Sequence, residues 1–206
     1  MTRADAARNR RLLIDAASAE LSDHGLEVSV AQIAARAGLA KGTFFNHFAS
    51  KEDLVSALFC EQLTALAEIG EALLEDEDPG SGLLRFMTAG AEIQANDRSI
   101  CEAAAATTRA DPEIRAAGDR LAQVAEALTA RARQAGVVRA EVTGHDIVLL
   151  LGAAPRTAAP VAAARPELWR RYLHLIFDGL RPEGAHELPV AAPTGQDFTA
   201  AAALAR

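Results

Sequence analysis

The stretch 30–48 constrains the fold most, because two short helical patterns are separated there by a single glycine. Two short helices cross closely only if the residue that faces the partner is small, and Ala34 meets that requirement. The chain must then reverse within a few residues, which needs a residue that tolerates a positive φ, and Gly38 follows four positions later. The inward-facing positions are apolar: Ile33, Ala37, Leu39 and Phe44. The stretch therefore predicts a helix-turn-helix.

The outward side of the second helix carries side chains that can form hydrogen bonds, namely Lys41, Thr43, Asn46 and His47. A helix with such a side can enter the major groove of DNA and contact base edges. The alternative is an ordinary pair of helices within a bundle, since small residues and glycines are common in an alanine-rich chain. The pattern from Ala34 to Gly38 leaves both interpretations open.

The remainder of the chain also favours helices. Alanine is abundant, aromatic residues make up 4% of the chain, and no alternating run rich in Val, Ile and Thr occurs. We predict an all-α fold of about nine helices, with a three-helix head at 1–52, a helical body at 53–181 and a mobile tail at 182–206, helical at most near 198–204. The helices expected after the head and its long fourth helix are 82–96, 99–108, 112–135, 143–158 and 166–181.

Several residues predict where helices begin and end. Gly25, Gly38 and Gly136 follow helical patterns and are typical C-terminal caps. Ser29 and Ser50 precede helical patterns and are typical N-caps. The acidic run 75–78, followed by Pro-Gly-Ser-Gly at 79–82, predicts a linker between two helices.

Charge is distributed unevenly along the chain. The formal net charge is −7, but residues 1–52 carry seven basic and six acidic side chains and the remainder carries the acidic excess. This asymmetry is compatible with a DNA-binding head on a regulatory body. Two roles stay open for Arg3, Arg8, Arg10 and Arg11: an arm that binds DNA, or the solvated start of a helix.

Other functional classes lack their signatures. Cys60 and Cys101 have no CxxC spacing, the five histidines have no metal-ligand spacing, and no nucleophile elbow, phosphate loop or dinucleotide fingerprint occurs. We therefore expect no enzyme, no metal and no cofactor. The longest apolar run, 147–154, is too short for a membrane span, and no export signal is visible at the N-terminus. We expect a soluble, cytoplasmic protein.

The stretch 11–54 resembles the tetracycline-repressor (TetR) family. The matching elements are Leu13-Ile14-Asp15-Ala16-Ala17, Gly25, Ser29, Ile33-Ala34, Ala37-Gly38, Gly42-Thr43, His47-Phe48 and Lys51-Glu52-Asp53-Leu54. Residues 169–181 are similar to the last helix of one subgroup of that family. The resemblance implies a repressor that binds a palindromic operator as a homodimer and is released by a small molecule, and the sequence leaves an activator open as the alternative. A helical interaction module that merely retains the hairpin is the competing interpretation.

The resemblance also implies roles for individual residues. Lys41, Gly42 and Thr43 would open the recognition helix, Asn46 and His47 would face the groove or its wall, and Lys51 would bind a phosphate together with the N-terminus of its helix. Ser29 and Gln32 would bind phosphate from the other side. Two residues depart from the family pattern: Ala40 replaces a capping Ser or Gly, and Phe45 replaces a Tyr whose hydroxyl bonds a phosphate, so that only ring packing against the backbone sugar remains there.

In the body, the resemblance implies an effector pocket and a homodimer interface formed by the last two helices. The apolar residues that we expect around the pocket, with one polar histidine, are Phe86, Met87, Gly90, Ile93, Cys101, Leu121 and His145. The residues expected at the dimer interface are Ile147, Leu150, Leu151, Leu168, Tyr172, Leu175 and Ile176. Both sets are compatible with plain core positions. The expected partners are a double-stranded DNA operator, a small-molecule effector and a second copy of the chain.

Overall fold

The computed structural model describes residues 3–96, 111–183 and 185–204. These residues are helical wherever they are regular, and no β-strand occurs among them, which confirms the predicted all-α class. The helix expected at 99–108 and residue Cys101 lie outside the described residues. None of the described helices is long and apolar enough to cross a membrane. The described residues divide into two compact units, with the first boundary between Gln62 and Leu63.

The first unit, here called the head, contains α1 (Arg3–His24), a 3₁₀ turn (Gly25–Glu27), α2 (Val30–Arg36), α3 (Lys41–Phe45) and the first half of α4 (Lys51–Leu73). Gly25 has a φ of 68° where α1 gives way to the turn, as the sequence predicts. The side chains from these helices and their connections that share one apolar core are Leu13, Ile14, Ala16, Ala17, Leu21, Val28, Ile33, Phe44, Phe48, Leu54, Val55 and Leu58.

The second unit, here called the body, contains the second half of α4, α5 (Pro79–Asn96) up to Ala95, α6 (Pro112–Gln134) from Arg115, α7 (Gly144–Leu150), α8 (Ala153–Ala158), a 3₁₀ turn (Ala159–Val161), α9 (Leu168–Gly179) and α10 (Gly195–Leu204). Gly136 ends α6 with a φ of 69°. The largest side chains of its core are Leu66, Leu73, Leu83, Phe86, Met87, Leu121, Leu128, Ile147, Leu151, Trp169, Leu173, Phe177 and Leu180.

The single helix expected at 143–158 is two helices in the structure. α7 ends at Leu150, and α8 begins at Ala153 after a turn at Leu151 and Gly152. The reason is Pro155, because a proline ring in a continuous helix clashes with the carbonyl four residues earlier and has no N–H to donate. That carbonyl belongs to Leu151, which is where the helix stops.

The linker expected at 75–82 is shorter than predicted, because α5 begins at Pro79 instead of residue 82. Proline is well suited to the first turn, where its missing N–H has no partner to lose. Asp78 precedes it: one carboxylate oxygen accepts from the N–H of Gly80 at 2.9 Å and the other from the hydroxyl of Ser81 at 2.8 Å. These bonds hold the pKa of Asp78 below its ordinary value.

The contact between α6 and the start of α7 depends on a glycine. A Cβ on Gly144 would lie 2.3 Å from the backbone nitrogen of Glu126 and 2.5 Å from its Cα. The Gly144 N–H donates to one carboxylate oxygen of Glu126 at 2.6 Å, and Arg133 donates to the other at 2.6 Å. Arg133 also donates to the Val142 carbonyl at 2.8 Å. Close backbone approach and a shared carboxylate therefore fix α7 against α6.

Gly144→Ala is expected to destabilise the protein by about 1–3 kcal/mol, because the added methyl overlaps rigid backbone atoms. The matched control is Gly118→Ala, within α6, where a Cβ meets no atom within 4 Å. That variant should be neutral or more stable by up to about 1 kcal/mol, since alanine favours a helix interior over glycine. Urea unfolding of both variants measures the difference, and equal midpoints would contradict the close approach.

Candidate nucleic-acid interface

The turn between α2 and α3 has the geometry that the sequence predicts. Gly38 adopts a φ of 68°. The N–H of Leu39 donates to the Ala34 carbonyl at 2.9 Å, and the N–H of Gly38 donates to the Ala35 carbonyl at 3.0 Å. These two bonds form a Schellman motif, which requires the left-handed residue. Ala34 is buried, as a close helix crossing demands.

The start of α2 is fixed by a reciprocal pair of side chains. The N–H of Gln32 donates to Ser29 Oγ at 3.3 Å, and both the N–H and the hydroxyl of Ser29 donate to the Gln32 amide oxygen, at 2.9 and 2.7 Å. This capping box confirms Ser29 as the N-cap. Both residues are exposed. Because their polar groups already form these bonds, a phosphate contact would have to form while the capping box stays in place.

Helix α3 has one buried side and one exposed side. Phe44 is fully buried, and Phe48, just beyond the helix, is buried with it, their ring centroids 5.6 Å apart. The residues that share the exposed side are Lys41, Gly42, Phe45 and Asn46, and Thr43 is half-buried beside them. Six of the nine residues implied for DNA contact, Ser29, Gln32 and these four, thus lie on the surface of the head.

His47 is placed differently from the expectation. The side chain is half-buried, and its Nε2 is covered and meets no hydrogen-bond partner among the described residues. An Nε2 in that position cannot reach a base in this conformation.

Lys51 is tied to the segment before α2. Its ammonium donates to the Val28 carbonyl at 3.2 Å. The first turn of α4 also carries Glu52 and Asp53, and the Asp53 N–H already donates to Ser50 Oγ at 3.1 Å. The pKa of Glu52 is lowered by hydrogen bonds from its own N–H and from Ser50, so a negative charge persists there. The N-terminus of α4 therefore attracts a phosphate group less strongly than the sequence suggests.

The basic residues of α1 and α2 divide into paired and stacked groups. Arg11 forms ion pairs with Asp15 at 3.0 Å and Glu61 at 3.3 Å. Arg36 pairs with Glu20 and Asp23, which raise its pKa. By contrast, the guanidinium of Arg10 lies 4.5 Å from the centroid of the Phe48 ring and forms no ion pair with the residues that the structure describes. Sequence patterns carry no signal for this long-range stacking.

Comparison with known proteins decides the family. The model for bacterial regulatory proteins of the tetR family matches residues 13–58, and the model for the C-terminal domain of SbtR-like transcriptional regulators matches residues 78–182. The TetR regulatory protein from Mycobacterium vanbaalenii is 32% identical, with 87% of this chain and 98% of that chain covered and a TM-score of 0.63. The chain belongs to the TetR family.

Two further solved structures show how widely this fold is shared. PfmR from Thermus thermophilus is 28% identical, with 91% of this chain and 99% of that one covered and a TM-score of 0.56. FadR from Bacillus subtilis, solved in complex with stearoyl-CoA, is 18% identical, with 85% and 99% covered and a TM-score of 0.64, and at that identity the likeness concerns the fold. TetR-family proteins are non-enzymatic DNA-binding transcription regulators, and this chain is one of them.

The residues expected around the effector pocket of this TetR-family body are mostly interior. Phe86, Met87 and Leu121 are buried in its core, and Ile93 is half-buried. A Cβ on Gly90 would lie 2.8 Å from a methyl of Leu151, so this glycine lets α5 approach that side chain.

His145 is half-buried, and its ring centroid lies 5.3 Å from that of Phe198 in α10. α10 extends from 195 to 204, where the sequence predicted at most a helical turn from 198. Thr194 precedes it and donates to the Asp197 carboxylate through its N–H and its hydroxyl, both at 2.7 Å.

The expected dimer residues need one correction. Ile147 is 0% exposed and Leu151 is 4% exposed, so neither presents a surface to a second subunit. With Ala154 and Ala158 they form a buried stripe spaced by three or four residues, which faces the core. Leu149 lies off that stripe and is 56% exposed, although it was not among the residues expected at the interface.

The remaining expected dimer residues reach the surface. Leu175, on α9, is 54% exposed. Four others are half-buried: Leu150, Leu168, Tyr172 and Ile176.

Ala40→Ser is expected to stabilise the head by roughly 0.5–1 kcal/mol, because it supplies the cap oxygen that α3 lacks. Ala40 has φ −71° and ψ 148°, close to the −85° and 154° of Ser29, which does cap its helix. Ala40→Val, which keeps an extended backbone but adds no oxygen, is the control. Thermal unfolding of the full chain measures both, and a serine variant no more stable than the wild type would rule out a missing cap.

Proposed function

We propose that this regulator is a repressor that binds a palindromic operator as a homodimer and is released when a small molecule binds its body. In this proposal residues 1–52 bind DNA, and residues 53–181 bind the ligand and form the dimer. The observation that carries it is the two-sided character of α3: Phe44 anchors it in the head core while Lys41, Gly42, Phe45 and Asn46 remain exposed. A groove-reading helix needs such a division.

DNA contacts are assigned by exposure and chemistry. Lys41 is an exposed cation at the start of α3 and suits a phosphate or a guanine edge, and Asn46 suits an adenine edge. Thr43 can add a hydroxyl contact. Ser29, Gln32 and Lys51 lie at the starts of α2 and α4 and serve as phosphate contacts, with Lys51 also holding the Val28 carbonyl. His47 supports the recognition helix from its half-buried position.

The homodimer is assigned to the exposed apolar side of α9, which packs on α8. Leu168, Tyr172, Leu175 and Ile176 recur there at helical spacing, and Leu149 adds an exposed side chain on α7. A two-fold pair of heads contacts half-sites one helical turn apart, about 34–36 Å. A ligand that changes this separation weakens simultaneous contact, which is the coupling that release requires.

The effector site is assigned to the body core around Phe86, Met87, Gly90, Ile93 and Leu121, with His145 as the remaining member among the described residues. These residues are apolar apart from the histidine, which favours an apolar or weakly polar effector. FadR, which shares the fold, was solved with stearoyl-CoA bound, so this fold accommodates a small molecule.

Selection of bound fragments from a random duplex library tests the proposal directly. The expected result is an enriched palindromic motif whose half-sites are centred about one helical turn apart. Enrichment of a single, non-palindromic half-site would contradict the dimer, and no enrichment would contradict DNA recognition. Adding candidate apolar effectors to the bound complex then tests release.

Lys41→Gln is expected to weaken binding to the selected operator and to reduce the slope of log K against log salt by about 0.9, the contribution of one phosphate contact in B-DNA. Arg85→Gln removes one positive charge from an exposed body residue that pairs with Asp76 and is the matched control. Filter binding or anisotropy between about 50 and 200 mM salt measures the slope. Identical slopes for the wild type and Lys41→Gln would remove the phosphate assignment.

Leu175→Glu is expected to convert the dimer to monomers, because it buries an unpaired carboxylate at the proposed interface. Leu188→Glu makes the same charge change at another exposed leucine, outside α9, and should leave the dimer intact. Sedimentation velocity measures both variants. A Leu175→Glu protein that stays dimeric at micromolar concentration would place the interface elsewhere.

A further inference from the structure

The exposed side of α3 contains a large apolar group that a phosphate contact does not use. Phe45 is 52% exposed and is the one large hydrophobic residue of the head, among those described, that is mainly on the surface. Single exposed apolar residues are common and need no explanation by themselves. Phe45 differs because its neighbours on the same side are a cation, an amide and a glycine: Lys41, Asn46 and Gly42.

The Phe45 ring is held in a defined orientation. Its centroid lies 5.3 Å from that of Phe44 at an interplanar angle of 76°, an edge-to-face contact. Phe44 is itself fully buried and packs against Phe48. A ring supported in this way presents a fixed apolar surface without the entropy loss of ordering a flexible side chain.

Gly42 leaves space beside that ring. A Cβ at position 42 would meet no protein atom within 4 Å, and the residue does not have a positive φ. Neither packing nor backbone conformation therefore requires glycine there. Gly42 precedes Phe45 by three residues, which places the two positions next to each other on one side of a helix. The absence of a side chain lets a partner approach both the backbone and the ring.

We propose that Phe45 reads the 5-methyl group of a thymine in the operator half-site. This inference rests on the proposed function. The major groove displays hydrogen-bond donors, acceptors and one apolar group, the thymine methyl. A phenyl ring cannot hydrogen-bond, so packing it on a donor or an acceptor would leave that polar atom desolvated and unpaired. The thymine methyl is the group that this ring contacts without such a cost, and Gly42 gives it access.

The experiment starts from the motif enriched by the full-length protein and replaces each thymine by uracil, symmetrically in both half-sites. Uracil removes only the methyl group. At one position the wild type should bind about fourfold more weakly per half-site, or about fifteenfold for the palindrome, as expected for one buried methyl-sized group. Cytosine at that position should also weaken binding, and 5-methylcytosine should recover about fourfold per half-site.

Protein variants connect this loss to the ring. Phe45→Ala should bind the thymine and uracil operators equally, whereas Phe45→Leu, which remains apolar, should keep part of the preference. Leu188→Ala, at an exposed body leucine, should behave as the wild type. Because Phe45 is half outside the core, circular dichroism of Phe45→Ala should match the wild type. If the spectrum of Phe45→Ala differs from that of the wild type, the uracil series measured with the wild type and with Phe45→Leu tests the thymine contact instead.

Three results would overturn the inference and leave the proposed function standing: an enriched motif without thymine, equal affinity for every uracil operator, or a uracil effect that persists in Phe45→Ala. Equal affinity for uracil combined with weakened binding by Phe45→Ala would place the ring on the sugar–phosphate backbone instead. Absence of any enriched motif would overturn the proposed function itself.

Discussion

A helix of five residues is not stable by itself in water, because the free energy of helix nucleation exceeds the stabilisation from so few hydrogen bonds. α3 therefore depends on the burial of Phe44 and Phe48 in the head core and on the turn at Gly38 that delivers the chain to them. The same burial decides which side of α3 faces outward. Every assigned base contact follows from this one packing arrangement, since the exposed residues are those that the two anchors leave outside.

The electrostatics of the head indicate how it discriminates between DNA sequences. Arg11 and Arg36 are neutralised by carboxylates within the head, and Glu52 and Asp53 stand close to Lys51 in sequence and on the first turn of α4. Two of the seven basic side chains of residues 1–52 are thus engaged in ion pairs, which is expected to reduce attraction to arbitrary DNA. In the proposed function, affinity therefore depends also on base-edge contacts and on the second head of a dimer.

Local backbone rules account for the parts of the structure that the sequence predicted. The turn at Gly38, the cap at Ser29 and the ends of helices at Gly25 and Gly136 follow from conformational preferences of single residues. Within the apolar run 147–151, the sequence did not separate core residues from surface residues, because five consecutive apolar residues cover more than one side of a helix. The spacing of Ile147, Leu151, Ala154 and Ala158 would have identified the core stripe and left Leu149 outside it, and Pro155 would have identified the break.

Contacts between residues far apart in the chain could not be predicted from the sequence. The stacking of Arg10 on Phe48, the bond from Lys51 to the Val28 carbonyl and the packing of Phe198 on His145 join residues that no short pattern relates. The covered Nε2 of His47 belongs to the same class, because its burial depends on neighbours that the sequence does not reveal. For the proposed site, the sequence therefore predicted that Lys41 and Asn46 are exposed, but not that the Nε2 of His47 is covered.

The division of α3 into anchors and exposed residues also bears on how such regulators diverge. Substitutions at the exposed positions 41, 42, 45 and 46 alter the surface that the proposed function assigns to DNA but remove little from the core, whereas changes at the buried positions 44 or 48 destabilise the head. If the proposed function holds, a duplicated copy of this gene can therefore acquire a new operator in a few steps without first accumulating compensating stability. Constraint on folding and freedom in recognition coexist within one helical turn.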